Sequence, residues 1–154
     1  MALSLSVAPT VEPVTLAEAK AHLRIDHAAD DTYITDFVLP AARRYAETFT
    51  RRAFVHQTWI LRLNGFGGHP ILLPRPPLSS ITSVAYTDTA GTSQTWAESA
   101  TGYTLEKPTG EHALHGSIRP AYTVTYPSTR DIVDSIVITY VAGYGAAATS
   151  VPIG

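Results

Sequence analysis

The spacing of hydrophobic residues divides the chain into a helical part and a β-rich part. Between Thr15 and Arg52, apolar side chains recur at the spacing of helices that lie on a core. The residues Thr15–Glu18 form a capping-box pattern, in which the Thr15 hydroxyl and the Glu18 carboxylate each satisfy a free backbone N–H group. The pattern therefore predicts that a first, short helix of about ten residues follows Thr15.

A second, longer helix is predicted after the acidic turn Asp26–Asp31. Asp30 or Asp31 is suited to cap it, because a carboxylate stabilises the N-terminal end of the helix dipole. Pro40 lies inside the helical pattern and removes one backbone hydrogen bond, which predicts a kink near Asp36 and not two separate helices. The helix has an apolar stripe that is predicted to cover the β-rich part: Ile34, Phe37, Val38, Ala41, Ala42, Tyr45 and Phe49.

After Arg52 the apolar residues alternate with polar ones, which is the period of a β-strand. Turn residues separate the predicted strands, and the sequence Asp88–Gly91 is typical of a hairpin turn. The fold class is therefore predicted to be α+β, with two N-terminal helices followed by an antiparallel β-sheet or sandwich. The strands are expected at 54–63, 71–73, 80–87, 94–96, 103–106, 113–118, 122–125 and 132–142.

Length and composition predict one folded domain. The 154 residues are 45% hydrophobic and 16% charged, which is sufficient for a sizeable core. This domain, 1–154, would comprise a helical part at 14–52, a β-rich part at 53–145 and an unpaired tail at 146–154. The net charge of −2 gives no overall positive field for nucleic acid, and the absence of cysteine excludes disulfides and thiolate metal sites.

The sequence contains no pattern of a catalytic, metal or cofactor site. The turn Asp26–Asp31 lies near His22 and His27, but it lacks the order of acidic residues and the central glycine of a calcium loop, which favours helix capping. His112 and His115 lie in a predicted strand, where a spacing of three places their rings on opposite faces. We therefore expect no catalytic residue, no bound metal and no cofactor.

A cluster of arginines lies at the end of the second predicted helix. Arg44 and Arg51 are seven residues apart and can share one helix face, while Arg51 and Arg52 suit the negative end of the helix dipole. One interpretation is a solvated helix end, because Arg43, Arg44 and Arg51 lie three or four residues from Glu47. The other interpretation is a docking surface for an acidic partner or for phosphates.

A series of short motifs resembles, in the same order, the head–tail connector (adaptor) proteins of long-tailed phages. Each motif consists of capping, core and turn residues and is unspecific alone, but together they cover nearly the whole chain. The motifs are Pro13–Arg24, Asp30–Asp31, Ala41–Glu47, Thr50–Arg52, Gln57–Trp59, Leu73–Pro74, Pro77–Leu78, Val84–Asp88, Gly91, Tyr126–Pro127, Ala142–Gly145 and Val151–Pro152.

This resemblance implies a structural protein of the virion that is not an enzyme. Such proteins are made in the host cytoplasm and form a ring beneath the portal, at the vertex of a phage capsid or gene-transfer particle. The ring extends the DNA channel, lets double-stranded DNA pass without sequence-specific binding, and contacts the next neck component, a stopper or tail terminator. Since the family ring follows the twelve-fold portal, a dodecamer is expected. The candidate partner-interface residues are Arg43, Arg44, Arg51, Arg52 and Tyr144.

In the family, helical sequence usually continues beyond the segment that matches Val151–Pro152 and packs on the N-terminal helices. These C-terminal helices are absent from the sequence, which indicates a short member or a sequence that ends before them. The apolar stripe of the second helix is then expected to be completed by such segments or by adjacent subunits.

A β-sandwich binding module is the alternative interpretation of the same sequence. It rests on the β-rich second half and on the eight tyrosines, which together with Trp59 or Trp96 would form a platform for carbohydrate or peptide. In that case Trp96 would be needed for ligand binding.

Overall fold

The computed structural model describes residues 1–152, which form a helical layer and two antiparallel sheets. A first strand, β1 (Ala2–Val7), precedes the helices α1 (Leu16–Leu23), α2 (Asp31–Tyr33) and α3 (Leu39–Thr50). The predicted α+β class is therefore confirmed. The remaining strands are β2 (Gln57–Leu63), β3 (Ile71–Leu72), β4 (Leu78–Thr87), β5 (Ser93–Thr95), β6 (Tyr103–Glu106), β7 (Ser117–Pro120) and β8 (Ile136–Ala142), followed by a 3-10 helix at Ala148–Ser150.

Helix α1 begins at the predicted capping box. The backbone N–H of Thr15 donates to the Glu18 carboxylate at 2.8 Å, and the backbone N–H of Glu18 donates to the Thr15 hydroxyl at 3.2 Å. The backbone N–H and the hydroxyl of Thr15 both donate to the Glu18 carboxylate and lower its pKa, so the box stays formed at neutral pH. The helix ends at Arg24, whose backbone is left-handed.

The second helix runs from α2 into α3 through a π-helix at Ile34–Val38. The kink predicted near Asp36 is therefore a local change of helical pitch. Pro40 lies in the first turn of α3, where its missing N–H group is tolerated. Asp30 occupies the N-cap position of α2, but its side chain makes no capping hydrogen bond. We use the term helical rod for residues 31–50.

The larger sheet has the strand order β1-β2-β8-β4-β5, and all of its pairings are antiparallel. Strand β8 lies in the middle and alternates strictly, with Ile136, Ile138, Tyr140 and Ala142 buried. One face of the strand therefore supplies the centre of the core, as expected for a sheet with one covered face. The smaller sheet, in the order β3-β7-β6, contributes Ile71, Ile118 and Tyr103 to the same core.

An aromatic cluster fills the core beside the β4–β5 hairpin. The ring of Trp96 lies 5.1 Å from Phe66, 5.2 Å from Tyr103 and 5.4 Å from Tyr126, measured between ring centroids. Trp96 is only 6% exposed. The binding-module interpretation places Trp96 in an open platform for a ligand. That expectation is wrong, because Trp96 is part of the core.

Four expectations for the β-rich part and the termini need correction. The N-terminal segment, where no strand is predicted, contains strand β1, which pairs with β2. No strand forms at 122–125, where the chain turns after Ala121, and the strand predicted at 113–118 lies at Ser117–Pro120. His112 and His115 consequently lie in a loop. The tail predicted at 146–154 contains the 3-10 helix, and its last two residues lie outside the described part of the chain.

Replacement of Trp96 by alanine is expected to destabilise the fold by about 3–5 kcal/mol, because a large buried side chain is removed from between three rings. Trp96→Phe keeps part of the aromatic contact and should cost less. Urea unfolding of the two variants measures both effects. An unchanged unfolding midpoint for Trp96→Ala would contradict the buried position of this residue.

Candidate assembly surface

Helix α3 is joined to the larger sheet by the buried carboxylate of Glu47. One carboxylate oxygen accepts hydrogen bonds from the backbone N–H of Phe54, at 2.8 Å, and from the side-chain amide of Gln57, at 2.7 Å. The other oxygen accepts from the Arg43 guanidinium at 2.9 Å. One side chain thus connects the helix, the loop that follows it and the first residue of β2.

Arg43 extends this network to the N-terminal segment. Its guanidinium donates to the Glu12 carboxylate at 2.7 Å and to Glu47, while its side chain is only 5% exposed. Burial disfavours the charged guanidinium, but the hydrogen bonds and charges of Glu12 and Glu47 outweigh this cost and raise the pKa of Arg43. Arg75 adds a further link by donating to the backbone carbonyl of Glu47 at 2.8 Å.

The buried face of α3 is therefore polar, and the apolar stripe predicted to cover the β-rich part is largely exposed. Of the stripe, Phe37, Tyr45 and Phe49 are 63%, 75% and 81% exposed, and only Ile34 is buried; Tyr33, just before the stripe, is 61% exposed. The expected packing of the stripe on the β-rich part is wrong, because Arg43 and Glu47 occupy the side of the helix that faces the sheet.

Exposed aromatic residues recur at a regular spacing along the helical rod. Tyr33, Phe37, Ala41, Tyr45 and Phe49 follow each other at intervals of four residues, which places them on one ridge of a helix surface. The rings of Tyr33 and Phe37 stack at a centroid distance of 5.8 Å. We call these five residues the aromatic ridge.

A large apolar groove adjoins the ridge. It has a volume of about 940 Å³ and lies between α1, the start of α3 and the segment around the C-terminal 3-10 helix. Ala19 is the only buried residue of α1, so this helix leaves most of its surface open. The apolar lining includes Val14, Ala19, Leu23, Val38, Leu39, Ala42, Phe54, Val151 and Pro152. Exposed apolar surface concentrated in this way is typical of a site that binds another molecule.

The predicted interface arginines have different environments. Arg43 is enclosed within the chain, so its guanidinium is not available to a partner as the sequence had suggested. Arg44 and Arg51 are exposed, beside the aromatic ridge and at the left-handed end of α3 respectively. Arg52 donates to the Tyr144 hydroxyl at 3.0 Å, and that hydroxyl donates to the backbone carbonyl of Glu111 at 2.6 Å. Arg52 and Tyr144 therefore lie together at the edge of the groove.

The acidic turn joins the two helices and shows no feature of a metal site. Lys20, near the end of α1, donates to the Asp31 carboxylate and to the backbone carbonyl of His27 at 2.7 Å. Within residues 1–152, no three His, Asp or Glu side chains are grouped closely enough to hold a metal ion. The same part of the chain has no helix with the length and apolarity to cross a membrane.

The second tryptophan is also engaged within the chain. The guanidinium carbon of Arg75 lies 5.2 Å from the centroid of the Trp59 ring, which is partly buried on β2. With Trp96 in the core, neither tryptophan forms the open platform that a carbohydrate-binding module needs.

The sequence does not predict that Glu12 and Gln57 take part in this network, and it places Glu47 at a solvated helix end. The one available signal was the four-residue spacing of Arg43 and Glu47, which was interpreted as a solvated ion pair. Their burial depends on Gln57 and the Phe54 backbone, which come from another part of the fold.

Comparison with known proteins gives a family match and several structural matches. The family described as "Phage gp6-like head-tail connector protein" matches residues 13–114. A chain of the structure described as "Virion of native gene transfer agent (GTA) particle" superposes with a TM-score of 0.78 at 24% sequence identity, covering 99% of this chain and 76% of that chain. No curated protein sequence matches the chain.

Two further structural matches come from necks of such particles. A chain of "Neck of empty GTA particle computed with C6 symmetry" has a TM-score of 0.73 at 22% identity, covering 99% of this chain and 76% of that chain. A chain of "Neck of native GTA particle computed with C12 symmetry" has a TM-score of 0.65 at 23% identity, covering 99% and 75%. At these identities the matches show that the fold is shared.

Loss of the Glu47 charge is expected to destabilise the protein by about 3–5 kcal/mol, because it leaves Arg43 buried with an incomplete set of partners. Glu47→Gln, which keeps the size of the side chain, tests this by urea unfolding. The control is Asp36→Asn, an exposed carboxylate of the same helical rod, which should change the free energy of unfolding by less than about 0.5 kcal/mol. Equal stability of the two variants would show that the buried network does not hold α3.

Proposed function

The chain belongs to the phage gp6-like head–tail connector family, and we propose that it forms a ring at the portal vertex of a phage or gene-transfer particle. The ring would join the capsid to the neck or tail and extend the channel through which double-stranded DNA passes. In this role the chain acts as one structural domain of the virion, without catalysis and without a cofactor.

The observation that carries the proposal is the exposed apolar surface of the helical layer. A row of four aromatic side chains beside an apolar groove is costly for a free monomer, because water surrounds surface that favours burial. A structural protein that functions only within an assembly removes this cost when its neighbours cover the surface. The family match supports this interpretation, since head–tail connectors work between other virion components.

The shared fold supports a ring of twelve subunits. The matched neck of a native gene-transfer particle is described with C12 symmetry, and the matched neck of an empty particle with C6 symmetry, which is a subgroup of C12. We therefore propose a homododecamer that binds the portal on one side and a stopper or tail terminator on the other. Arg44, Arg51, Arg52 and Tyr144 stay as predicted contact residues. Arg52 and Tyr144 line the groove, while Arg44 and Arg51 are exposed on α3 and at its C-terminal end.

The charge of the chain is compatible with a DNA conduit. Tight binding of a phosphate backbone requires several lysine or arginine contacts that displace counterions. The net charge is −2, and the most basic helix commits Arg43 to buried partners. A lumen formed by such subunits would let DNA slide through without sequence-specific binding.

Purified chain mixed with the portal protein of the same genome is expected to form rings of twelve that dock coaxially on the portal, as seen by negative-stain microscopy and native mass spectrometry. Tyr45→Ser combined with Phe49→Ser should abolish ring formation and leave the melting temperature nearly unchanged, because both side chains are exposed. The control is Tyr122→Ser, a still more exposed tyrosine outside the ridge, which should assemble normally. A wild-type chain that stays monomeric with the portal present would refute the proposed function.

A further inference from the structure

A second exposed surface has the apolar and charged character that complements the aromatic ridge. The loop Asp131–Asp134, just before β8, exposes Ile132 and Val133 between two aspartates, with Val133 77% exposed. The ridge, in turn, exposes Tyr45 and Phe49 on the same helix as the exposed Arg44, with the exposed Arg51 just after the helix end. We call residues 131–134 the acidic loop.

The acidic loop is held in a fixed position by its two ends. At its start, the backbone N–H of Arg130 donates to the Thr87 carbonyl at 3.0 Å, and at its end the backbone N–H of Asp134 donates to the Asn64 side chain at 3.1 Å. The Arg130 side chain is directed to the turn at Gly91. A loop fixed in this way presents its apolar pair with little further loss of conformational entropy on binding.

The charges on the two surfaces are opposite in sign. Arg44 and Arg51 are exposed and lie seven residues apart, on the side of α3 between the aromatic ridge and the buried face of Arg43 and Glu47. In the acidic loop, Asp134 is partly neutralised by Arg62 at 3.8 Å, so Asp131 carries most of the available charge. Contact between the surfaces would bury apolar side chains at the centre and place opposite charges at the rim.

The two surfaces lie at opposite ends of the larger sheet and do not meet within one copy. Arg51 lies shortly before the start of β2 at Gln57, whereas the acidic loop bonds to Asn64, directly after the end of β2 at Leu63. The seven residues of β2 separate these ends by about 20 Å. Different surfaces at opposite ends of a subunit give head-to-tail contacts, which close into a ring when the rotation between copies permits it.

The available area also fits a contact between subunits. Aromatic side chains bury about 150–250 Å² each, and 61–81% of each ridge ring is exposed, so the four rings offer roughly 400–700 Å². A stable interface needs about 800 Å² from each partner. The whole ridge therefore offers at least half of one side of a subunit contact, and Tyr45 and Phe49 supply about half of the ridge area.

We propose that the aromatic ridge of one copy packs on the acidic loop of a second copy, with Ile132 and Val133 against Tyr45 and Phe49 and with Asp131 facing Arg44. This contact rests on the ring of the proposed function and specifies which surfaces form it. Because the contact is heterologous, each copy uses its ridge toward one neighbour and its loop toward the other.

The absence of cysteine from the chain permits a direct cross-linking test. The double variant Phe49→Cys with Val133→Cys, oxidised at assembly concentration, is expected to give a ladder of covalent multimers that collapses to monomer on reduction. Each single-cysteine variant is the matched control and should stay monomeric on a non-reducing gel. Dimers of Phe49→Cys alone would show that two ridges pack on each other, and this result would overturn the proposal.

A charge exchange tests the polar part of the contact. Asp131→Arg should weaken self-association by about ten- to a hundredfold, because attraction to Arg44 becomes repulsion. Addition of Arg44→Glu to the same chain should restore assembly. Asp26→Arg, the same charge change at an exposed aspartate between α1 and α2, should have little effect. Normal assembly of Asp131→Arg would overturn the proposal.

The outcomes separate this contact from the proposed function. If wild-type chain forms rings but the double-cysteine variant gives no ladder, the proposed contact is refuted and the proposed ring is not. A different surface then joins the subunits, and the ridge is available to bind the portal. If wild-type chain forms no ring with the portal present, both proposals are refuted.

Discussion

The buried carboxylate of Glu47 determines how the helical layer sits on the β-rich part. A charged group away from water is stable only when its hydrogen-bonding capacity is filled, and here Arg43, Gln57 and the Phe54 backbone fill it. Those partners have fixed positions in the fold, so they admit one rotation of α3 about its axis. A purely apolar face would tolerate small rotations and sliding, because hydrophobic contact is not directional.

That rotation decides which residues remain for other molecules. With Arg43 and Glu47 toward the sheet, the aromatic ridge is on the far side of the helical rod, and the groove opens between α1 and α3. The same polar anchor that stabilises the subunit thus keeps its most apolar helix face exposed. The polar face of α3 thus binds its own subunit, and the apolar face stays open to other molecules. Such a division suits a member of a head–tail connector family.

Much of the fold is predictable from local signals in the sequence. The capping box at Thr15, the hairpin at Asp88–Gly91 and the alternation of β8 depend on near neighbours, and the structure confirms them. The orientation of α3 is not predictable in this way. Its apolar stripe has the pattern of a helix packed on its own core, and only the distant Gln57 and Glu12 show that the polar side faces inward. Strand β1 is not predicted from the sequence, because it is an edge strand whose residues are mostly exposed.

A cryo-electron microscopy reconstruction of the assembled chain tests the central claim most directly, because it shows both faces of α3 at once. The account predicts that Glu47 contacts Arg43 and Gln57 of its own subunit while Tyr45 and Phe49 are covered by another chain. A reconstruction in which the ridge faces solvent, or in which α3 is rotated so that Tyr45 and Phe49 pack on their own sheet, would contradict it.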